Sequence, residues 1–328
     1  MKNMVDIACT LASRLKDFGK TPESKRVIES AIELNPWFSH DEICMAVEAI
    51  SNHMLNKERL DEWLSQYPSL PKHTAQRVGI IMAGNIPLVG FFDLLCTLMA
   101  GDEAWIKPSS KDRPLIEYIC STLKHIEPNI PIYDYNDSSQ VDAVIATGGD
   151  DANRHFKQVF KSKRRLLRAS RHSIAVLCTE PRREQLELLT KDIYTYSGLG
   201  CRNVAMIFSP KGYNVNIPAH TSNTKYKNNY LQSRALLTIN KRDFTDNGSS
   251  IFIHSRELPH TLSAISIYEY DSLEEVEQWI SEHEDELQCI ASECIDHPRR
   301  VNFGQTQYPT LNDYADGVDT MKFLEFND

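Results

Sequence analysis

The feature that most constrains the fold is an alternation of short apolar segments with longer amphipathic ones between residues 78 and 150. The short segments predict strands, and they are residues 78–83, 104–107, 129–133 and 141–146. Residues 88–98 and 115–123 carry apolar side chains at helical spacing between those strands. Helices that link short strands indicate a parallel sheet, which binds ligands at the carboxyl ends of its strands. Asn85, Lys107 and Gly148 all fall at such carboxyl ends.

A helical region and a second α/β region flank this segment. Residues 1–70 are predicted to be helical, with Ser39 and Glu42 forming a capping box ahead of an apolar face. Beyond residue 171, the pattern predicts strands at residues 173–178, 204–208, 263–270 and 287–290, and helices at 184–196 and after Ser272. Residues 214–229 are polar and predict a long loop. The expected division is 1–171 for the helical region and a nucleotide-binding domain, 172–300 for a catalytic domain, and 301–328 for a C-terminal extension.

Composition narrows the class of protein. The 328 residues carry 45 acidic and 36 basic side chains, a net charge of −9, which disfavours nucleic acid as a partner. No apolar run approaches the ~20 residues of a membrane span, and the first residues lack the apolar core of a signal peptide. Eight cysteines without a CxxC pair indicate a reduced, cytoplasmic protein. No metal is expected, because the spacing of His283, Cys289, Cys294 and His297 matches no usual zinc site.

Cys201 is the candidate nucleophile. It follows Gly198, Leu199 and Gly200 and precedes an apolar run that begins at Val204. Glycines permit a sharp turn, so the thiol and its own backbone N–H can face one reacting carbonyl. From this segment alone, the alternative is a small buried cysteine at a strand end.

Four segments, in this order, resemble the aldehyde dehydrogenase superfamily. They are residues 83–88 (AGNIPL), 106–110 (IKPSS), 146–149 (ATGG) and 198–201 (GLGC). Within that superfamily, residues 83–92, 200–204 and the tail at 302–305 and 313–324 resemble the long-chain acyl-CoA reductase (LuxC-like) family. The resemblance runs from about residue 35 to the end. It implies an α/β fold, with a parallel-sheet nucleotide-binding domain and a smaller α/β catalytic domain.

The resemblance assigns roles residue by residue. Cys201 would attack an acyl thioester, and the Asn85 side chain would stabilise the oxyanion. The alternative for Asn85 is a helix N-cap. Lys107 would bind the adenosine ribose of the cofactor, and Gly148 and Gly149 would form the turn at its pyrophosphate. Ser110 stands where NAD-preferring members often carry a glutamate, which implies NADPH, with NADH as the alternative.

One departure from the family pattern concerns the base. Arg168 occupies the stretch in which oxidising members carry a glutamate that activates water, so the resemblance implies reduction to an aldehyde. The expected substrate is acyl-CoA or another acyl thioester, and the rival substrate is an acyl phosphate. A non-catalytic subunit that binds an acyltransferase is the alternative from another class. We also expect a homo-oligomer and a possible acyltransferase partner.

Overall fold

The computed structural model describes residues 3–71, 74–136, 138–220 and 223–325. The chain divides into two compact units: unit 1 is residues 1–170 and 310–328, and unit 2 is residues 171–309. Among the described residues, no helix is both long enough and apolar enough to cross a membrane.

Unit 1 opens with four helices. They are α1 (Met4–Leu15), α2 (Pro22–Leu34), α3 (His40–Ala49) and α4 (Lys57–Leu64), and a π-helical turn (Ile50–Met54) follows α3. Each helix has an N-cap residue whose side-chain oxygen accepts a hydrogen bond from a backbone N–H of the first turn. These residues are Asn3 for α1, Thr21 for α2, Ser39 for α3 and Asn56 for α4. At α3 this confirms the Ser39 cap, since Ser39 Oγ accepts from the Glu42 N–H at 3.3 Å. The buried faces of these helices pack in one core with the sheet that follows.

The sheet of unit 1 has five parallel strands in the order β3-β2-β1-β4-β5. In chain order the elements are β1 (Arg77–Ile81), α5 (Phe91–Met99), β2 (Glu103–Lys107), α6 (Arg113–Ile126), β3 (Ile132–Asp134), β4 (Ala143–Thr147), α7 (Asp150–Val159) and β5 (Arg164–Arg168). The predicted strand and helix alternation is therefore confirmed. The apolar pattern missed β5, because three of its five residues are arginines.

Unit 2 contains a seven-stranded sheet in the order β12-β11-β6-β7-β10-β9-β8. In chain order its elements are β6 (His172–Val176), α8 (Arg183–Tyr194), β7 (Val204–Pro210), α9 (Thr224–Ile239), β8 (Thr245–Asp246), β9 (Ile251–His254), β10 (Ala264–Tyr270), α10 (Leu273–Glu282), β11 (Leu287–Ser292) and β12 (Arg300–Val301). Only the β8–β9 pair among these strands is antiparallel. The predicted long loop at 214–229 is wrong in its second half, because α9 begins at Thr224.

Two cysteines depart from the expectation of a fully reduced protein. Cys178 follows β6 and Cys294 follows β11, and they form a disulfide across neighbouring strands of unit 2. Cys9, Cys44, Cys96, Cys120, Cys201 and Cys289 are not disulfide-bonded. Sequence spacing could not show the pairing, since 115 residues separate the two cysteines in the chain and only the sheet brings them together.

The C-terminal segment is part of the core of unit 1. Leu311, Met321 and Leu324 are buried there, and α11 (Thr320–Glu325) is the last helix. The Trp63 indole donates a hydrogen bond to the Tyr314 hydroxyl at 2.7 Å. The Tyr67 hydroxyl lies 2.6 Å from the same oxygen. Residues 301–309, the start of the expected extension, belong instead to unit 2.

Candidate active site

Cys201 lies in a turn that connects α8 to β7 in unit 2. Three consecutive residues in this turn, Tyr196, Ser197 and Gly198, have φ between 53° and 69°, in the left-handed region. Only the last is a glycine, so the other two are held in a conformation that non-glycine residues seldom adopt. The turn leaves Cys201 half-buried, three residues before the first residue of β7.

The buried Asn203 side chain fixes this turn. Its amide oxygen accepts a hydrogen bond from the Gly200 N–H at 2.9 Å. Its amide nitrogen lies within 2.8 to 3.1 Å of three carbonyl oxygens, those of Asp192, Ile193 and Thr195. The Asn203 side chain therefore provides hydrogen-bond partners for the carbonyl groups at the end of α8, and it also holds the backbone just before Cys201 in position. The sequence prediction missed this role, because the partners lie up to eleven residues away in the chain.

A second buried side chain supports Cys201 from β6. Ser173 Oγ donates to the Cys201 carbonyl oxygen at 2.9 Å and accepts from the Cys289 N–H at 3.1 Å. The Cys289 sulfur lies 3.1 Å from the same hydroxyl. The Cys201 carbonyl is thus bonded to β6, and the same Ser173 hydroxyl is bonded to β11, which gives the turn a defined position.

Asp192, at the end of α8, anchors the loop after β12. Its buried carboxylate accepts from the Gly304 N–H at 2.6 Å, from the Thr306 N–H at 3.2 Å and from Thr306 Oγ1 at 2.8 Å. Burial raises the pKa of Asp192 to about 6, and the hydrogen bonds oppose that rise. The Arg202 guanidinium, next to Cys201 in the chain, donates to the Thr306 carbonyl. Residues 302–305 of the family-like tail therefore adjoin the Cys201 turn.

Asn85 is exposed in the turn that follows β1. Helix α5 begins at Phe91, with Gly90 as its N-cap, so the helix predicted from the apolar spacing at residues 88–98 starts later than expected. The N-cap interpretation of Asn85 is therefore wrong. Leu88, with φ of 56°, is the residue that reverses the chain here.

Three contacts hold the Asn85 turn. The buried carboxylate of Asp112 accepts from the Leu88 N–H at 3.1 Å, and burial raises the pKa of Asp112 well above its usual range. The Asn35 side chain donates to the Gly84 carbonyl at 3.2 Å. A Cβ on Gly84 would lie 2.6 Å from Ser109 Oγ, so that glycine permits the close approach of two turns. These turns follow β1 and β2 and carry Asn85 and Lys107.

Lys107 is exposed at the carboxyl end of β2. It lines a cavity of about 620 Å³ between β2, β3 and α6. Arg113, Lys124 and His125 also line the cavity, together with the acidic Glu117 and Asp134. Ser110 is exposed in the turn between β2 and α6.

Gly148 and Gly149 differ in what surrounds them. A Cβ on Gly148 would lie 2.8 Å from the Ala152 Cβ, so this glycine allows α7 to pack against the end of β4. Gly149 is the N-cap of α7 and faces open space, with Ser170 Oγ 3.9 Å from a Cβ built there. The neighbouring acids contact other groups, since Asp150 accepts from the Ser170 N–H at 3.2 Å and Asp151 pairs with Arg154.

Arg168 ends β5 and is buried. Its guanidinium donates to both Asp93 carboxylate oxygens at 2.7 and 2.6 Å, and to Thr320 Oγ1 at 2.7 Å. A guanidinium has no lone pair available to accept a proton, so Arg168 cannot act as a base. Arg168 instead forms a buried ion pair with Asp93 within unit 1.

The four residues weighed as a zinc set are not assembled. Cys294 is bonded to Cys178, and the His297 ring contacts Glu284 at 3.2 Å. Among the described residues, no three His, Cys, Asp or Glu side chains form a group that could hold a metal ion.

Comparison with known proteins identifies the family. Residues 16–221 match the model of the acyl-CoA reductase (LuxC) family. The chain belongs to this family. A curated relative, the long-chain acyl-protein thioester reductase of Photorhabdus laumondii subsp. laumondii, is 27% identical over 122 residues. That alignment covers 32% of this chain and 25% of the relative, so the chain spans only a quarter of the relative's length.

Solved structures confirm an aldehyde-dehydrogenase-like fold for this LuxC family chain. Aldehyde dehydrogenase 21 from Physcomitrella patens superposes with a TM-score of 0.68 at 9% identity, over 98% of this chain and 83% of that one. Succinic semialdehyde dehydrogenase from Streptococcus pyogenes, in complex with NADP+, gives 0.65 at 10% identity, over 90% and 78%. An acetylating aldehyde dehydrogenase from Geobacillus thermoglucosidasius gives 0.61 at 10% identity, over 95% and 83%.

Proposed function

We propose that this protein reduces an acyl thioester to an aldehyde with NADPH, through an acyl-cysteine intermediate on Cys201. Unit 1 would bind the cofactor, and unit 2 would carry the chemistry. The observation that carries the proposal is that two buried side chains, Asn203 and Ser173, hold the backbone of a turn that presents a cysteine outside any disulfide in a member of the LuxC family. The family relative acts on an acyl-protein thioester, according to its name.

Acyl transfer would begin with attack of the Cys201 thiolate on the thioester carbonyl. The new C–S bond forms as the carbonyl electrons move to oxygen, and collapse of that oxyanion expels the carrier thiol. The Cys201 N–H and the Asn85 amide are the donors we assign to the oxyanion. Because Gly200 is held by Asn203 and the Cys201 carbonyl by Ser173, the backbone would need little rearrangement when charge develops.

The residues of unit 1 fit a nicotinamide dinucleotide. The cavity beside Lys107 carries cations for phosphate and ribose oxygens, and the open Gly149 N-cap leaves α7 N–H groups accessible to a pyrophosphate. Bound NADPH would supply the hydride that reduces the acyl group. We assign Lys107 to the ribose, Gly148 and Gly149 to the pyrophosphate turn, and Ser110 to tolerance of a 2′-phosphate. The acidic residues Asp134 and Glu117 line the same cavity, so the ratio of kcat/KM for NADPH to that for NADH is a sharp test of the assigned cofactor.

We expect the acyl group to leave as an aldehyde rather than as a free acid, because Arg168 stands where a hydrolytic member would carry its base. Hydrolysis of an acyl-cysteine needs a base that activates water, and the Arg168 guanidinium is committed to Asp93 and Thr320. The overall balance is one acyl thioester, one NADPH and one proton giving one aldehyde, one thiol and one NADP+. A missing general base is worth about 10²–10⁴ in rate, which is enough to decide between the two fates.

The test measures whether the acyl group is released as an aldehyde or as a free acid. Purified protein is supplied with an acyl-CoA and NADPH, and aldehyde and free acid are quantified by chromatography after correction for uncatalysed hydrolysis. We expect aldehyde as the main product, and none from Cys201→Ala. The same assay with an acyl phosphate distinguishes the rival substrate. Free acid as the main product, or unchanged turnover by Cys201→Ala, contradicts the proposal.

A further inference from the structure

Charge is segregated along the chain around the Cys201 turn. Residues 193–242 contain no aspartate or glutamate in fifty positions, and they contain seven basic residues: Arg202, Lys211, Lys225, Lys227, Arg234, Lys241 and Arg242. Since the whole chain has a net charge of −9, the remaining residues carry −16. Two of the seven are paired with acids outside the segment, Arg234 with Asp246 at 3.1 Å and Lys211 with Asp271 at 3.3 Å. The charge of the other five favours an acidic partner and speeds its encounter with the protein.

Helix α9 carries three of these seven cations, Lys225, Lys227 and Arg234, together with an apolar stripe, and Lys241 and Arg242 follow its last residue. Its inner face buries Tyr226, Tyr230 and Ser233. On the outer face, Leu231, Ala235 and Ile239 recur every fourth residue, so they lie along one line. Leu231 is 47% exposed, Leu236 50% and Ile239 75%. A helix that is apolar on both faces, with one of them exposed, is typical of an interaction surface.

The same helix contacts the turn that carries the nucleophile. A Cβ on Gly198 would lie 3.8 Å from the ring of Tyr226. The Tyr226 hydroxyl lies 2.5 Å from Ser250 Oγ, which ties the start of α9 to the β8–β9 connection. Lys225 and Lys227 flank Tyr226 in the chain and are exposed. The basic start of α9 is therefore close to the Cys201 turn within unit 2.

We propose that the exposed face of α9 is the docking surface for an acidic protein that carries the acyl group, and that this protein is the acyl donor to Cys201. The inference rests on the proposed function. The cations would meet carboxylates at the rim, and the Leu231–Ile239 stripe would meet apolar side chains at the centre. A second copy of this chain is a poor occupant by two-fold pairing of α9, since like charges would face each other.

Two acyl donors with the same acyl chain test this surface. One donor is acyl-pantetheine, which is small and uncharged, and the other is an acyl carrier protein, which is small and acidic. The variants are the double change Lys225→Glu with Lys227→Glu, and Ile239→Gln. The matched controls are the double change Lys157→Glu with Lys161→Glu, and Val159→Gln, all at exposed positions in α7 or just after it. Binding of the unloaded carrier protein is followed separately by fluorescence anisotropy.

We expect the α9 variants to lower kcat/KM for the carrier-protein donor about tenfold or more, and to change the pantetheine reaction less than twofold. Raising salt from about 50 to about 300 mM should weaken only the carrier-protein reaction. Equal losses with both donors, or no loss with either, contradict the docking surface. So does binding of wild type to phosphatidylglycerol vesicles that the α9 variants lose, which would make this a membrane surface.

Failure of the proposed function gives a different result. If wild type reduces neither donor, the reductase proposal fails, and the anisotropy titration judges the surface by itself. Carrier-protein binding that the α9 variants lose and the α7 controls retain would still support docking. No measurable binding of wild type would overturn it.

Discussion

The turn that carries Cys201 and the turn that carries Asn85 are both held by buried side chains, but they leave their functional residues at different exposure. In unit 2, Asn203 and Ser173 are both buried and both bond the backbone at the reactive residue or next to it. In unit 1, Asp112 and Asn35 bond the turn on either side of Asn85, which is itself exposed, as is Lys107. A nucleophile needs a fixed position, whereas a cofactor site must open to a large ligand. The contrast predicts that substitutions near Cys201 act on the rate and those near Lys107 act on cofactor choice.

The largest expected effect is at Asn203. Asn203→Ala removes an acceptor for Gly200 and a donor for three carbonyls, so buried polar groups lose their partners at about 1–3 kcal/mol each. We expect kcat to fall at least about 10²-fold and the denaturation midpoint to fall as well. Turnover assays and urea titrations measure both effects.

Asn203→Asp is the control, because it retains the acceptor for the Gly200 N–H and loses the amide donor. Its carboxylate would face three carbonyl oxygens with no proton to donate, so we expect its activity to fall at least as far as that of Asn203→Ala. Wild-type kcat in Asn203→Ala would show that the turn keeps its shape without this side chain.

A smaller effect is expected at Asp192, and it depends on pH. A folded-state pKa of about 6 lies above the ordinary value of 3.8, so the native state binds more protons than the unfolded chain between these values. The free energy of unfolding that Asp192 contributes therefore falls as pH rises from about 4 to about 6, by about 2–3 kcal/mol in total. The Asp192→Asn variant has no titrating group at this position, so its free energy of unfolding lacks this pH-dependent contribution.

Urea denaturation at several pH values measures the difference between wild type and Asp192→Asn. We expect wild type to lose stability relative to the variant across that window and the difference to be constant above it. A difference that does not change with pH would mean that Asp192 titrates normally.

The smallest effect is expected at Ser110, which is exposed and lies in unit 1. Ser110→Glu would place a carboxylate in the turn after β2, near the assigned ribose site, where it repels a 2′-phosphate. The ratio of kcat/KM for NADPH to that for NADH should fall about tenfold. Steady-state kinetics with both cofactors measure it, with Gln158→Glu, which also adds one negative charge at an exposed position, as the matched control. A wild-type preference for NADH would contradict the cofactor assignment directly.

The sequence predicted the parallel sheet of unit 1 because apolar strands, crossover helices and the Ser39 cap are local signals. It missed β5, since Arg164, Arg165 and Arg168 conceal a strand whose last side chain is neutralised by Asp93. It missed α9, whose apolar residues fall on both faces. The support of Cys201 by Ser173, and the Cys178–Cys294 disulfide, depend on neighbours in a sheet that are far apart in the chain.

The most direct test of the account is covalent modification of Cys201 in a single turnover. Protein is mixed with stoichiometric acyl-CoA in the absence of NADPH, quenched in acid, digested and examined by mass spectrometry. The account predicts one acyl group on the peptide that contains Cys201, its loss as aldehyde when NADPH is added before the quench, and no adduct on Cys201→Ala. An adduct on another cysteine, or aldehyde formation by Cys201→Ala at the wild-type rate, would contradict the account.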